Sequence, residues 1–181
     1  MGGARRLRGI VAVALFLLTI VSTATAKYSG GSGTAQDPYR IATAADLIAL
    51  GETPADYDKD FLLTTDIDLD PELPGRKVFD RAVIAPDTDP NDRWREFQGA
   101  PFTGVFDGGG HTISHLIIKG KGYLGLFGQL GWGYAPAGEV KDLGVVDVDI
   151  TGSGYYVGAL VGYNYGTITT RPYTSVIFSL F

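Results

Sequence analysis

Asp107 and His111 stand four residues apart across Gly108-Gly109-Gly110, and a carboxylate beside an imidazole is the simplest acid–base pair a chain can offer. The same stretch also reads as a tight turn, in which glycines supply positive φ and the Asp107 carboxylate caps local amides. His115 follows His111 by four, so both rings would share one face of an extended chain. Zinc takes three or four ligands, and no third ligand type stands at a matching spacing, so no metal is expected there. Calcium is the one ion the spacing leaves open. Asp66, Asp68 and Asp70 alternate along the chain and could present oxygens from one strand face, or simply form a solvated face. Asp87-Thr-Asp89-Pro-Asn91-Asp92 opens like an EF-hand loop but then departs from it. Asp92 takes the place of the loop glycine, and Gln98 that of the bidentate glutamate.

A second set is aromatic: Trp94, Trp132, Tyr134, Tyr155, Tyr156, Tyr163 and Tyr165. Exposed rings on a rigid scaffold stack against sugars, while neighbouring acids hydrogen-bond hydroxyls. Tyr and Phe alternating with Gly also suit the packed interior or rim of a β-structure. Gly131-Trp-Gly133 is no phosphate loop, since neither a helix nor a lysine follows in the required place.

The elements that must position these residues are mostly strands. The chain has 181 residues, 26 of them glycine, which is about twice the usual share. It has no cysteine, one methionine and 19% charged residues, which excludes a disulfide scaffold, a coiled coil and a basic nucleic-acid binder. Arg5, Arg6 and Arg8 precede the apolar run from Ile10 to Val21, and Ala24-Thr-Ala26 follows it. Residues 1–26 therefore read as a secretory signal peptide cut before Lys27. Twelve apolar residues make a helix of about 18 Å, too short for the ~30 Å hydrocarbon layer. Losing three arginines and no acid moves the formal charge from −5 to −8. An acidic, exported chain disfavours nucleic acid and anionic lipid as partners, and no membrane insertion is expected after cleavage.

Residues 27–38 are expected as a flexible leader. Thr43 and Asp46 are spaced for a capping box on one short helix, with Gly51 as its terminator. Phe61 to Leu69 should place Ile67 and Leu69 on one face and Asp66, Asp68 and Asp70 on the other. Residues 71–101 read as surface loops around one short strand, Ala82-Val-Ile84. Beyond Phe102 two rounds of short apolar strands and glycine turns repeat. Ile113 aligns with Val140 and Leu116 with Leu143 at one shared offset, and Ile168 follows Val140 at nearly the same one. Tyr123-Leu-Gly125 aligns with Tyr156-Val-Gly158 at a longer offset, so the intervening turns differ in length. Rounds of this kind bury their apolar faces by stacking, so residues 39–170 are expected to form an all-β, parallel β-solenoid with a short N-terminal capping helix. A β-sandwich of unrelated strands is the alternative.

Gly158-Ala-Leu-Val-Gly162-Tyr-Asn-Tyr-Gly166 resembles the GLUG repeat of bacterial secreted and surface proteins, and Gly125-Leu-Phe-Gly128 resembles a shorter variant of it. Phe106-Asp-Gly-Gly-Gly-His-Thr-Ile113 is similar to the turn and strand that precede such repeats. The resemblance implies a right-handed parallel β-helix, export, and a place at the cell surface, with Gly125, Gly128, Gly158 and Gly162 as structural repeat positions. Some relatives of that kind are metallopeptidases with a separate catalytic domain, but this chain has no His-Glu-x-x-His. The expected function is a non-catalytic surface-interaction or adhesion module with a polysaccharide or protein partner. The alternative is a polysaccharide lyase or hydrolase on the same scaffold. Residues 171–181 contain no glycine and break the pattern, so the chain is expected to be a truncated or frame-shifted piece of a longer repeat protein.

Overall fold

The computed structural model describes residues 27–89, 96–133 and 137–170. The expected signal peptide, Trp94, Tyr134, Asn91, Asp92 and the tail 171–181 lie outside the described residues.

Strand β1 (Tyr39–Ile41) leads into helix α1 (Ala44–Gly51). The capping box forms as the spacing demands. The Thr43 hydroxyl accepts from the Asp46 amide at 3.1 Å, and the Asp46 carboxylate accepts from the Thr43 amide at 3.0 Å. Ala44, Leu47 and Leu50 recur along one stripe and are buried. The helix ends at Gly51 as expected, though not through a left-handed cap. Gly51 is the last helical residue, Glu52 follows at φ −87°, and the Val83 carbonyl oxygen fills the space that a Cβ at Gly51 would need.

The remaining elements are strands: β2 (Asp60–Leu63), β3 (Ile67–Asp68), β4 (Val105–Asp107), β5 (Thr112–Ser114), β6 (Ile117–Gly120) and β7 (Phe127–Leu130). They continue with β8 (Glu139–Lys141), β9 (Gly144–Val146), β10 (Asp149–Gly152), β11 (Val161–Asn164) and β12 (Thr167–Thr169). They form four sheets, ordered β1-β2-β4-β8-β12, β3-β5-β9, β6-β10 and β7-β11. Every pairing between these strands is parallel. A sandwich needs antiparallel sheets, so that alternative fails for the described strands.

The register corrects part of the repeat alignment. Val140 pairs with Ile168, and Leu124 bridges Val157, both as the sequence suggested. Ile113, however, pairs with Val145 rather than Val140, and Val140 lies beside Phe106. Overlaying Ile113 on Val140 had matched apolar positions that belong to two different sheets. The region 71–101 also departs from expectation. Ala82 to Ala85 form no regular strand and are buried instead of superficial. Phe79 makes a parallel bridge to Ile118 and Ile84 one to Phe127, which sets this segment beneath β6 and β7.

Apolar residues of all four sheets point inward to one core. Phe61, Phe102, Phe106 and Phe127 are fully buried, with Phe102 and Phe127 edge to face at 5.2 Å and Phe106 and Phe127 at 5.5 Å. The segment expected as a flexible leader is docked on β1. The Ser29 amide donates to the Arg40 carbonyl at 3.0 Å, and the Arg40 amide to the Gly30 carbonyl at 2.8 Å. The Tyr28 ring lies 5.0 Å from Tyr39 and 5.7 Å from Phe61. Its hydroxyl donates to the buried Asp56 carboxylate at 2.6 Å, and the Lys27 ammonium pairs with the same carboxylate. Burial pushes the Asp56 carboxyl up, but these two donors and the Lys27 charge outweigh it and hold the group below its ordinary value.

Candidate functional site

Strand β11 carries Tyr163, and Tyr165 follows two residues later on the same side, as the two-residue period of extended chain requires. Their hydroxyls lie 3.0 Å apart and their rings 4.8 Å. Tyr156 packs against Tyr163 with ring centroids 4.5 Å apart, and Tyr123 against Tyr156 at 4.8 Å. Tyr123 and Tyr156 occupy equivalent turns of successive rounds. The Tyr123 amide donates to the Tyr155 carbonyl at 3.0 Å, and the Leu124 amide to that of Tyr156 at 2.9 Å. Both residues have left-handed backbones, φ 54° and 63°. Such a conformation costs a non-glycine residue roughly 1–2 kcal/mol, so packing of the two rings must hold it.

The result is a continuous row, Tyr123–Tyr156–Tyr163–Tyr165, with Phe97 beside Tyr123 at 5.2 Å and Tyr155 beside Tyr156 at 6.3 Å. Tyr123 is its buried floor, whereas Tyr155 is 52% and Tyr165 48% exposed. Trp132 is also exposed, and Gly133 beside it would place a Cβ 3.4 Å from the Tyr165 ring. Burial, then the neighbouring phenols and Asp87, push the Tyr123 hydroxyl up to about 12. The hydrogen bond to Tyr165 raises that of Tyr163. Tyr123 and Tyr163 therefore present neutral hydroxyls at physiological pH, able to donate and to accept. Of the expected ring set, Tyr155, Tyr156, Tyr163 and Tyr165 come together. Tyr123 was missed, although its match to Tyr156 in the repeat was the signal that could have found it.

The four repeat glycines support this row through close backbone approach. None of them has a positive φ. A Cβ on Gly162 would stand 2.8 Å from the Tyr123 carbonyl carbon, 2.8 Å from the Tyr156 oxygen and 2.9 Å from the Gly128 oxygen. At Gly128 and Gly158 the Ala85 and Val161 carbonyl oxygens fill that space, and at Gly125 the Phe127 oxygen lies 2.9 Å away.

Asp107 and His111 are not brought together as an acid–base pair. Asp107 accepts from the Gly109 amide at 2.8 Å and lies 3.5 Å from the Lys141 ammonium. His111 instead meets Asp66, with Nδ1 to Oδ1 at 3.2 Å, and His115 meets Asp68 at 2.8 Å. The pairing of β3 with β5 sets the two Asp–His pairs side by side, and nothing local in the sequence gives that register. The Thr112 amide and then His111 hold the Asp66 carboxyl below its ordinary value. The Asp70 amide and then His115 do the same for Asp68, while the bond to Asp68 raises His115. As expected, Ile67 and Leu69 are buried opposite these acids. Asp87 is buried, and its carboxylate closes its own loop by accepting from the Asp89 and Gln98 amides at 3.2 and 3.0 Å. Among the described residues no group of three or more acids and histidines converges on a cation position.

No family model matches the chain, and no solved structure matches it. It is 32% identical over 159 residues to halomucin of Haloquadratum walsbyi, an alignment covering 84% of this chain and 2% of that protein. It is also 33% identical over 153 residues to a Gly-rich membrane protein of Evansella cellulosilytica, covering 78% of this chain and 15% of that protein. The chain thus spans a small part of the length of each relative.

Proposed function

We propose that this chain is an exported, non-catalytic surface-interaction module, built as a right-handed parallel β-helix of GLUG-like rounds, whose tyrosine row binds neutral glycan. The observation that carries the reading is the row itself: Tyr156 and Tyr165 are exposed and the half-exposed Tyr163 on β11 lies between them, with ring centroids 4.5 and 4.8 Å apart. Rings spaced in this way suit successive sugar faces, and their hydroxyls suit sugar hydroxyls. The charge of −8 after loss of residues 1–26 repels anionic polymers, which favours uncharged glycans. Parallel sheets whose strands recur from round to round support the β-helix. The signal-like residues 1–26, and a relative named as a membrane protein, support a location at the cell exterior.

The test is a panel of neutral and acidic polysaccharides, scored both for retention of the protein and for release of reducing ends. Retention on neutral polymers without release is expected. Enzyme-dependent release would replace this reading by the hydrolase or lyase alternative. The two Asp–His pairs would then be its acid–base groups, and His111→Ala with His115→Ala would abolish turnover.

A further inference from the structure

Cysteine is absent from the chain and Met1 is its sole methionine, so residues 27–181 contain no sulfur. Thiols and thioethers are the side chains that ordinarily take up oxidising equivalents. Without them, phenols and indoles are the next to react, and the tyrosine row gathers phenols at the surface. Tyr155, Tyr156 and Tyr165 are exposed there, beside the half-buried Tyr163.

One pair in the row is set for a particular reaction. Tyr163 and Tyr165 share a hydrogen bond between hydroxyls 3.0 Å apart, with ring centroids at 4.8 Å and ring planes at 88°. In a phenoxyl radical the unpaired electron concentrates at the carbons ortho to the oxygen. Each ortho carbon is bonded to the carbon that bears the hydroxyl, so hydroxyls in contact bring two ortho carbons side by side. A biphenol has the same arrangement: its hydroxyls flank the bond that joins two rings twisted out of one plane. Tyr28 and Tyr39 also lie close, at 5.0 Å, but there the Tyr28 hydroxyl donates to Asp56 instead.

We propose that Tyr163 and Tyr165 are a site of oxidative modification, where a haem peroxidase consuming hydrogen peroxide joins the two rings into a dityrosine within one chain. Each phenol gives up one electron and its hydroxyl proton, and the two radicals form a carbon–carbon bond between their ortho carbons. The hydrogen on each of those carbons then leaves as a proton, and each oxygen takes one up to restore the phenol. The pair loses two electrons and two protons in all, and one hydrogen peroxide becomes two waters. Tyr156, 4.5 Å from Tyr163, is in contact to pass on a radical formed elsewhere in the row. The new bond fixes the outer half of the row in its present geometry, whether or not a glycan is bound.

The full chain, dilute and treated with a haem peroxidase and hydrogen peroxide, should gain dityrosine fluorescence while staying monomeric and losing two hydrogens in mass. Fragmentation of the peptide that carries the pair should give no ions from cleavage on either side of Asn164, because the new ring holds both pieces together. Groups held in contact react in a unimolecular step, so the fluorescence per chain should be unchanged over about tenfold dilution. Tyr165→Phe should lower the monomer fluorescence at least about tenfold, whereas Tyr155→Phe, which removes the hydroxyl of a more exposed ring, should lower it less than about twofold. The fragment map keeps the assignment independent of how either variant folds. Covalent dimers in place of the monomeric product would show that exposure alone directs the oxidation, and would overturn the proposal. Monomer fluorescence that survives Tyr165→Phe would overturn it too, as would a treated chain without dityrosine.

Discussion

Gly162→Ala adds one methyl group at the point where three segments of backbone converge. Its Cβ would meet Tyr123, Tyr156 and Gly128 backbone atoms at 2.8, 2.8 and 2.9 Å. Backbone cannot rotate away like a side-chain tip, so successive rounds must separate locally. Overpacking of this kind costs about 1–3 kcal/mol. Replacing glycine also stiffens the unfolded chain, which returns about 0.4–1 kcal/mol. The net loss is up to about 2.6 kcal/mol, equivalent to a Tm lower by up to roughly 5–10 °C for a chain of this size. Gly133→Ala is the matched control. Among the described residues its Cβ meets the Tyr165 ring first, at 3.4 Å, and its φ is not positive, so the chain-stiffening gain should dominate. Thermal unfolding by circular dichroism reads both. If Gly162→Ala is as stable as Gly133→Ala, the rounds do not approach as closely as argued and the glycine spacing has another cause.

Other perturbations follow from the same contacts. Phe127→Ala removes a fully buried ring that packs on Phe102 and Phe106, and urea titration should show a loss of about 3–5 kcal/mol. Thr43→Ala deletes the helix cap and should cost about 1 kcal/mol by the same assay, with Thr43→Ser restoring most of it. His115 titrates above its ordinary 6.5 because Asp68 bonds to it, so its contribution to stability is complete below about pH 6.5 and fades as pH rises through the folded value. Asp68 is held below its ordinary 3.8, so its share is present above about pH 4 and is lost on acidification through its folded value. The pair is therefore most effective between about pH 4 and 6.5. NMR titration should find the His115 value shifted down toward 6.5 in Asp68→Asn, and an unchanged value would contradict the pairing.

Local signals were legible in the sequence, whereas signals that depend on stacking were only partly so. Thr43 and Asp46 act within one turn of chain, and their capping box formed as read. The alternation of Ile67 and Leu69 with three aspartates gave the correct buried face. Parallel pairing between rounds was visible wherever a distinctive residue recurred, as in the segments that begin at Tyr123 and Tyr156. It failed for Ile113 because valines and isoleucines look alike on every sheet, and turn lengths differ between rounds. The Gly162 position was recognised, with a turn or a close backbone approach as its two possible reasons, and the close approach is the one the structure shows. No sequence rule separates a glycine with a left-handed backbone from one that merely lets another backbone come near. The Asp66–His111 and Asp68–His115 pairs join residues far apart in the chain and depend on register alone. Loops also misled the reading, since residues 71–101 looked polar and proline-punctuated yet include Phe79, Val83 and Ile84, buried under two sheets.

Glycan affinity of the tyrosine row is the most direct measurement of the central claim. Isothermal titration with the neutral polysaccharide best retained by the native protein would compare it with Tyr155→Ala/Tyr165→Ala. Both rings are about half exposed, so their loss should leave Tm nearly unchanged. Stacked rings contribute about 0.5–1.5 kcal/mol each, so the double variant should bind roughly 5- to 100-fold more weakly. An affinity within twofold of the native value, with Tm equally unchanged, would show that the row is not the contact surface.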